Sequence, residues 1–522
     1  MKLKSIFTAV FFVLTLCIQV KGQTFQRTFG AKDDDKGNQV LVTKDNNYAI
    51  IGYKQEKSSI YLIKTNLLGN TIWQKTFGPS MMTPNSFKET NDGGFIIAGT
   101  SQPDSRRMIC LIKTNASGDT LWAKSYTGSN VTYPSVSAHE VILTADGGYA
   151  VIGTDEGTSK ENFFLLKTDS NGNLQWAKSY GGSAAEIGNS LKQTTDGGYI
   201  LAGYTGTFGK DVYDVYLVKV NATGTISWTK NYGAGATEQA NHIELTKDKG
   251  FIITGIKYDT TGGAYDSDLF LMKTDSLGNK DWSYAYGGNS DDAGTSVKQT
   301  TDGGFIATGF TASSGAGQED VYLLKTDAQG NVSWSKNYGG SSTEQGNEVI
   351  QQDKNYIIVG ETRNFSKGGT DVYLIKTDST GKTTCKQGTA LASKTAINWV
   401  QGTGGTEISG SSVKWQLLTV GKPDTTSSNP CDCVPPVANF YAAMTDVTAH
   451  MTDLSTWATS WHWDFGNGDT SNVQNAIYNW NKVGTFKVCL TVKNECGIDT
   501  ACQTVTTGTG IIENKDNLIK LT

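Results

Sequence analysis

Six tryptophans in this chain each close a copy of one hairpin, and their spacing limits what the chain can fold into. "LLKTDAQGNVSWSKNYGG" (323–340) reads as a strand, a tight Asp-x-x-Gly turn and a second strand ending at Gly-Gly. "LLKTDSNGNLQWAKSYGG" (165–182) and "LMKTDSLGNKDWSYAYGG" (271–288) are near copies. The closing residues are Trp73, Trp122, Trp176, Trp228, Trp282 and Trp334, with Phe25 in the equivalent place before the first and Cys385 after the last. Successive positions lie 48 to 54 residues apart. A constant period of that size belongs to solenoids, propellers and arrays of domains.

Each period holds four short segments. In the fourth, "NSLKQTT" (189–195) predicts a strand a, ended by the turn Asp196-Gly197-Gly198. "YILAGY" (199–204) predicts a strand b buried on both faces, "DVYLVKV" (214–220) a strand c, and "TISWTKNYG" (225–233) a strand d. No helical period competes with these runs. Four strands per repeat, set around a ring, make a β-propeller blade. The a–b turn recurs at Asp45, Asp92, Asp146, Asp196, Asp248, Asp302 and Asp353, and the lysine ending strand c at Lys64, Lys113, Lys167, Lys219, Lys273, Lys325 and Lys376. The expected class is therefore all-β, with a seven-bladed β-propeller over residues 23–388. "TFQRTFG" (24–30) follows the strand d pattern yet precedes the first blade, while "GKTTCKQ" (381–387) is degenerate in it. The N-terminal strand is expected to complete blade 7 and close the ring.

The chain opens with two lysines and an apolar run from Ile6 to Val20, followed by Gly22. That pattern predicts a secretory signal peptide over 1–22, too short and wrongly flanked for a transmembrane span. Cys17 follows Leu16 and not a small residue, which argues against a lipid anchor. A net charge of −5 gives no electrostatic footprint for nucleic acid. Cysteines cluster between 431 and 502, where an exported chain forms disulfides. The sequence predicts a Cys489–Cys502 cross-strand pair and leaves Cys496 to join Cys431 or Cys433, the connectivity not being deducible from spacing. The period is lost after residue 388. Residues 389–436 read as a linker, Ser/Thr/Pro-rich at 425–436, with alternating residues over 395–420 that predict extended structure against the propeller.

Residues 437–508 carry a family resemblance. "WHWDFGNGDTS" (461–471) and "VGTFKVCLTVKNECGIDT" (483–500) resemble a PKD domain, which implies an immunoglobulin-like β-sandwich serving as a spacer or recognition module. The chain departs from that family at Asn467, where Asp is usual, and at Ala476, Tyr478 and Trp480, where Pro-x-His-x-Tyr is common. The tail "GTGIIENKDNLIKLT" (508–522) resembles the opening of a sorting domain of the Bacteroidetes type IX secretion system, without the Y-P-N-P-type segment that follows in that family. Members of that exported group join propellers rich in Asp-Gly-Gly turns to PKD modules and such tails. The resemblance implies the secretion machinery as a partner, if 509–522 is a sorting signal.

Each turn aspartate caps its own turn, and a contact with the strand c lysine explains both residues. "TDAQGNVSW" is similar to the repeat of quinoprotein dehydrogenases, in which the tryptophan docks adjacent blades. Seven blades and one internal cysteine, Cys110, imply no quinone, and no cofactor is expected. His139, His242, His450 and His462 fall in no ligand spacing, so no metal is expected. No catalytic motif stands out, and catalytic residues are assigned to none.

Strand order sets the a–b and c–d turns at one end of the propeller and the b–c and d–a loops at the other. The b–c loops vary in length and content, and variable loops on a rigid scaffold are where binding concentrates. Candidate ligand contacts on this face are Phe208, Tyr213, Tyr258 and Tyr265 in those loops, with the acids Glu186, Glu238, Asp292 and Glu344, which also suit a role in holding their own loops. Met82 and Val136 interrupt the acid series in blades 2 and 3. These features predict a secreted or outer-surface binding protein that recognises a polysaccharide or a surface protein. The alternatives are an exported polysaccharide hydrolase or lyase with its site on the same face, and a purely structural component of the cell surface or matrix.

Overall fold

Alternating apolar strands of about seven residues, ended by Asp, Asn and Gly turns, fold into seven antiparallel sheets in a computed structural model. It describes residues 24–408, 427–428 and 437–508, except 79–81, 104–105, 129–134, 158–159, 211, 260–265, 367, 386, 456–457, 459 and 495–496. The expected signal peptide, the tail 509–522, Tyr265, Cys431 and Cys496 lie outside the described residues. Two compact units divide the chain, one ending at Cys431 and the other beginning at Asp432.

The first unit is the seven-bladed propeller. Blade 4 shows the order, with Glu186–Gln193, Tyr199–Thr205, Asp214–Val220 and Ile226–Gly233 as strands a to d from the centre outward. Ring closure is as the sequence predicts. Phe25–Phe29 pairs antiparallel with Asp371–Thr377, with Phe25 opposite Lys376 and Phe29 opposite Val372. Blades dock through the hairpin tryptophans. Trp73, Trp122, Trp176, Trp228, Trp282 and Trp334 each meet the first aromatic residue of strand b in the next blade, at centroid distances of 5.7–6.4 Å. Phe25 makes the seventh such contact with Tyr48, at 6.3 Å. The tryptophan also lies on the next blade's c–d turn. A Cβ on Gly330 would sit 3.0 Å from Trp282 Cζ3, and its φ of +76° is one only glycine adopts freely. The repeated Asp-x-x-Gly therefore serves both turn and blade contact.

At the tight-turn end, lysine and aspartate pair in six blades, from Lys64–Asp45 at 2.6 Å to Lys325–Asp302 at 3.0 Å. Partial burial pulls Asp92, Asp146, Asp196, Asp248 and Asp302 upward, but hydrogen bonds from the lysine, a threonine and a glycine N–H outweigh it and hold each at about 2. A depressed folded pKa gives stability that is present above the ordinary value near 3.8 and is lost as pH falls through about 2. These carboxylates are more than half exposed, so solvent screens each contribution. The melting temperature of the propeller is expected to show no loss from these turns between pH 8 and 5, and to decline below about pH 4. A melting temperature that rises from pH 4 to pH 2.5 would contradict the assignment.

The stretch beyond residue 388 is not simply a linker. From Gln387 the chain runs back around the outside and adds a fifth strand to blade after blade in reverse order. Gln387–Gly388 pairs with blade 6, Ser393–Ala396 with blade 5, Val400–Gly402 with blade 4 and Thr406–Ile408 with blade 3. Ser427–Ser428 then pairs with the N-terminal strand in blade 7. Trp399 anchors the belt, 6% exposed and 4.9 Å from the Phe270 ring. The hydroxyls of Tyr216 and Tyr322 donate to belt carbonyls of Gly404 and Leu391. The belt satisfies outer edges that would otherwise offer unpaired backbone groups.

The second unit is a β-sandwich. One sheet holds Phe440–Thr445, Thr448–Asp453 and Ile477–Asn479, and the other Thr470–Ser471, Ser460–Asp464, Gly484–Asn494 and Gly497–Thr507. Trp463 is fully buried between them, edge-on to Phe440 at 5.0 Å. Cys489 and Cys502 are opposite one another in register and form the expected disulfide. Cys385 is also disulfide-bonded.

Candidate binding face

The variable-loop face is built on the starts of strands a and c and the ends of strands b. Its acids are not available to a ligand. Glu186, Glu238, Asp292 and Glu344 are all 0% exposed. Glu186 accepts from Gly182 N at 2.8 Å and Thr205 Oγ1 at 2.9 Å. Asp292 accepts from Gly288 N at 2.8 Å and Ser313 Oγ at 2.7 Å. Glu344 accepts from Gly340 N, Thr362 Oγ1 and Asn364 N at 2.8–3.0 Å. The sequence could not separate a loop strut from a ligand contact, because both place an acid at the mouth of strand a. Phe208 is likewise structural, 5.4 Å from the Tyr216 ring and against belt residue Gly404.

Two of the proposed aromatics do come together on this face. Tyr213 meets Tyr204 edge-on at 5.0 Å. Burial pushes Tyr204 up to about 12, helped by Tyr213, Glu161 and Tyr258 beside it. Tyr204, Tyr213 and Tyr258 are half-buried, and Val212 beside them is 71% exposed.

A cavity of about 410 Å³ opens over blades 1 to 3, lined chiefly by Tyr53, Met82, Asn85, Gln102, Arg107 and His139. No motif pointed to it. The usable signal was the interruption of the acid series at Met82 and Val136. Arg107 is held by Glu156, whose Oε1 accepts from Nη1 at 2.7 Å. Burial keeps His139 below its ordinary pKa, so it is a neutral hydrogen-bonding group at pH 7. Its Nδ1 lies 3.0 Å from Asn189 Oδ1.

His139 and Asn85 also belong to the central channel. A bulge in every strand a turns one residue inward, namely Asn38, Asn85, His139, Asn189, Asn241, Thr295 and Asn347. Several of these bond to the next blade, such as Asn189 Nδ2 to Ala240 O and Asn347 Nδ2 to Gly37 O, both at 2.8 Å. Behind this ring lies a self-compensating charge network. Lys192 pairs with Glu140 at 2.7 Å and Lys298 with Glu244 at 2.8 Å. Lys88 lies 3.9 Å from Glu140, and Lys298 3.9 Å from Glu348. Burial holds His242 well below its ordinary pKa. Among the described residues, no group of three or more His, Cys, Asp or Glu side chains is placed to hold a metal ion.

The PKD family matches residues 434–508. The C-terminal unit is a PKD domain. It is similar to the PKD1 domain of the Vibrio cholerae metalloprotease PrtV, at 31% identity over 15% of this chain and all of that one, with a TM-score of 0.14. The PKD1 domain of Vibrio anguillarum Epp is 26% identical over 14% of this chain and 95% of that one, with a TM-score of 0.14. Polysaccharide lyase Uly1 is 8% identical over 66% of this chain and 90% of that one, with a TM-score of 0.40. No curated protein matches the chain. Two departures of this PKD domain from its family meet in space. Asn467 Nδ2 donates to the Tyr478 hydroxyl at 2.7 Å and to Asp469 Oδ2 at 3.1 Å. Asp at 467 would set a second carboxylate beside Asp469, so the amide and the tyrosine suit one another.

Proposed function

We propose that this is an exported binding protein that recognises a polysaccharide or a protein through the variable-loop face of its propeller, with the PKD domain as a spacer or second recognition module. The observation that carries this reading is the unequal use of the two ends. The tight-turn end repeats one Lys–Asp lock in six blades. The other end carries a tyrosine cluster with an exposed valine, and an open polar cavity. Half-buried aromatic rings stack on sugar faces or anchor protein partners. Export is supported by the sequence pattern of residues 1–22 and by the disulfide in the PKD domain. No described helix is long and apolar enough to cross a membrane. The hydrolase or lyase alternative would draw on Glu186, Glu238 or Glu344, and these are buried.

A glycan array and a pull-down with the full chain test the proposal. Tyr213→Ala with Tyr258→Ala is expected to weaken the ligand found by about 1–3 kcal/mol, with the melting temperature nearly unchanged. Trp282→Ala is expected instead to lower the melting temperature, because it removes a blade contact. Binding that survives loss of both tyrosines but fails when the Asp-Gly-Gly turns are changed would move the site to the other end.

A further inference from the structure

The propeller repeats a carboxylate pair at its blade junctions, and the cavity lies where that pair is missing. One acid lies at or near the start of strand c of a blade and the other starts strand a of the next. The pairs are Asp371 with Asp35, Asp214 with Glu238, Asp268 with Asp292, and Asp320 with Glu344. At three of these junctions both members sit against the glycine at the end of strand d, namely Gly30, Gly287 and Gly339. A Cβ on Gly339 would lie 1.8 Å from Asp320 Oδ1 and 2.6 Å from Glu344 Oε2. Asn162 with Glu186 is a half-neutral version. At the junctions of blades 1 with 2 and 2 with 3, both members change together, to Ser59 with Met82 and to Met108 with Val136.

The cavity here is polar, and among the described residues no acid lines it. Its described lining offers the carboxamides of Asn85 and Gln102, the neutral imidazole of His139 and the guanidinium of Arg107. Glu156 occupies one N–H of that guanidinium, which has five to give. At the two altered junctions, Ser59 Oγ and Ser101 Oγ are buried with no hydrogen-bond partner among the described residues. Ser101 stands opposite Met82 as Thr205 stands opposite Glu186. Thr205 donates to that acid, and Ser101 has none to donate to.

We infer that this cavity binds an acidic saccharide, its hydroxyls on the carboxamides of Asn85 and Gln102 and its carboxylate or sulfate on Arg107. This rests on the reading that the variable-loop face is the binding face, and it adds the ligand class. The polar wall suits a hydroxyl-rich ligand, and a guanidinium with spare donors gives an anion a charge-assisted, directional contact. At the four junctions with an intact pair, buried carboxylates oppose an anion.

Calorimetric titration of the full chain with oligogalacturonate, sulfated galacto-oligosaccharide and neutral galacto-oligosaccharide tests the inference. At least one acidic sugar is expected to bind roughly tenfold or more tighter than the neutral one, and to weaken as salt is added. Which of the two binds distinguishes carboxylate from sulfate. Arg107→Gln, at an exposed position, is expected to cost roughly tenfold or more in that affinity. Met82→Glu restores the acid of the repeat, with Ser101 opposite it, and is expected to abolish binding while the protein still melts cooperatively. Three results would overturn the inference: equal affinity for acidic and neutral sugars, indifference to both substitutions, or no binding of any of the three sugars. If neutral sugar or a protein binds and depends on Tyr213 and Tyr258 but not on Arg107, the acidic ligand class is wrong and the binding face stands. If some ligand binds and none of these four positions matters, the face itself is wrong.

Discussion

Deleting residues 24–30 is expected to unfold the whole ring, not merely to fray one blade. Phe25 and Phe29 are 4% and 0% exposed and belong to a core shared with blades 1 and 7. Phe25 also supplies the docking ring for the junction of blades 7 and 1. Loss of one buried phenylalanine costs about 3–5 kcal/mol. Two of them, together with the ladder to Asp371–Thr377, rival the ~5–15 kcal/mol that stabilises a whole domain. The deletion also strips Ser427–Ser428 of its partner strand. The expected result is loss of the cooperative melt and rapid proteolysis within the blades. A truncated protein that melts within a few degrees of the intact one would show that closure is not carried by this strand. Phe29→Ala provides a milder version, expected to lower stability by about 3–5 kcal/mol with the ring still closed.

Lys192→Met is expected to destabilise the propeller by about 3–5 kcal/mol, because it strips a buried carboxylate of its hydrogen-bonded cation and leaves only Lys88, 3.9 Å away. Glu140 is 6% exposed and accepts from Lys192 at 2.7 Å. Its other oxygen accepts from Ser190 Oγ at 2.7 Å and Leu191 N at 2.9 Å, so the group cannot turn away to solvent. Burial alone would raise Glu140, yet Lys192, Lys88 and His242 together hold it far below the ordinary range. In the wild type that is stability present above the ordinary carboxylate pKa and lost in strong acid. Without Lys192 burial dominates and the sign reverses, so the variant regains stability as Glu140 takes up a proton. The gap between wild type and variant is therefore expected to narrow as pH falls from 7 toward 4. Lys192→Met combined with Glu140→Gln is expected to be less damaging than the single change. Denaturant unfolding of the three proteins at two pH values decides this. A single variant within about 1 kcal/mol of wild type would mean that the channel charges are effectively solvated.

The belt bears on why the acid ring misled a reading made along the chain. Alternation over 395–420 pointed to extended structure, and Ser393–Ala396, Val400–Gly402 and Thr406–Ile408 are indeed strands. Their partners lie more than a hundred residues away, and nothing local names them. Glu186 and Glu344 have the same difficulty in another form. Their position at the start of strand a was legible, but whether a neighbouring loop folds over them was not. Loop position puts Tyr213 and Tyr258 on the variable-loop face, and the contact through Tyr204 appears only in three dimensions. Arg107 and His139 repeat in no other blade, so a search for repeated residues passes over them.

The sequence by itself determined what depends on period and neighbours along the chain. That includes the number of blades, the order of strands within each, the tryptophan contacts, the N-terminal closure and the Cys489–Cys502 pair. Each is a local pattern, since the position of a residue in a strand sets the face it presents. Only the tertiary structure decided which acids are buried, where the belt runs, how the channel charges pair and where a cavity opens. Those properties belong to junctions between blades, where side chains some fifty residues apart meet and one substitution changes what its neighbour can do.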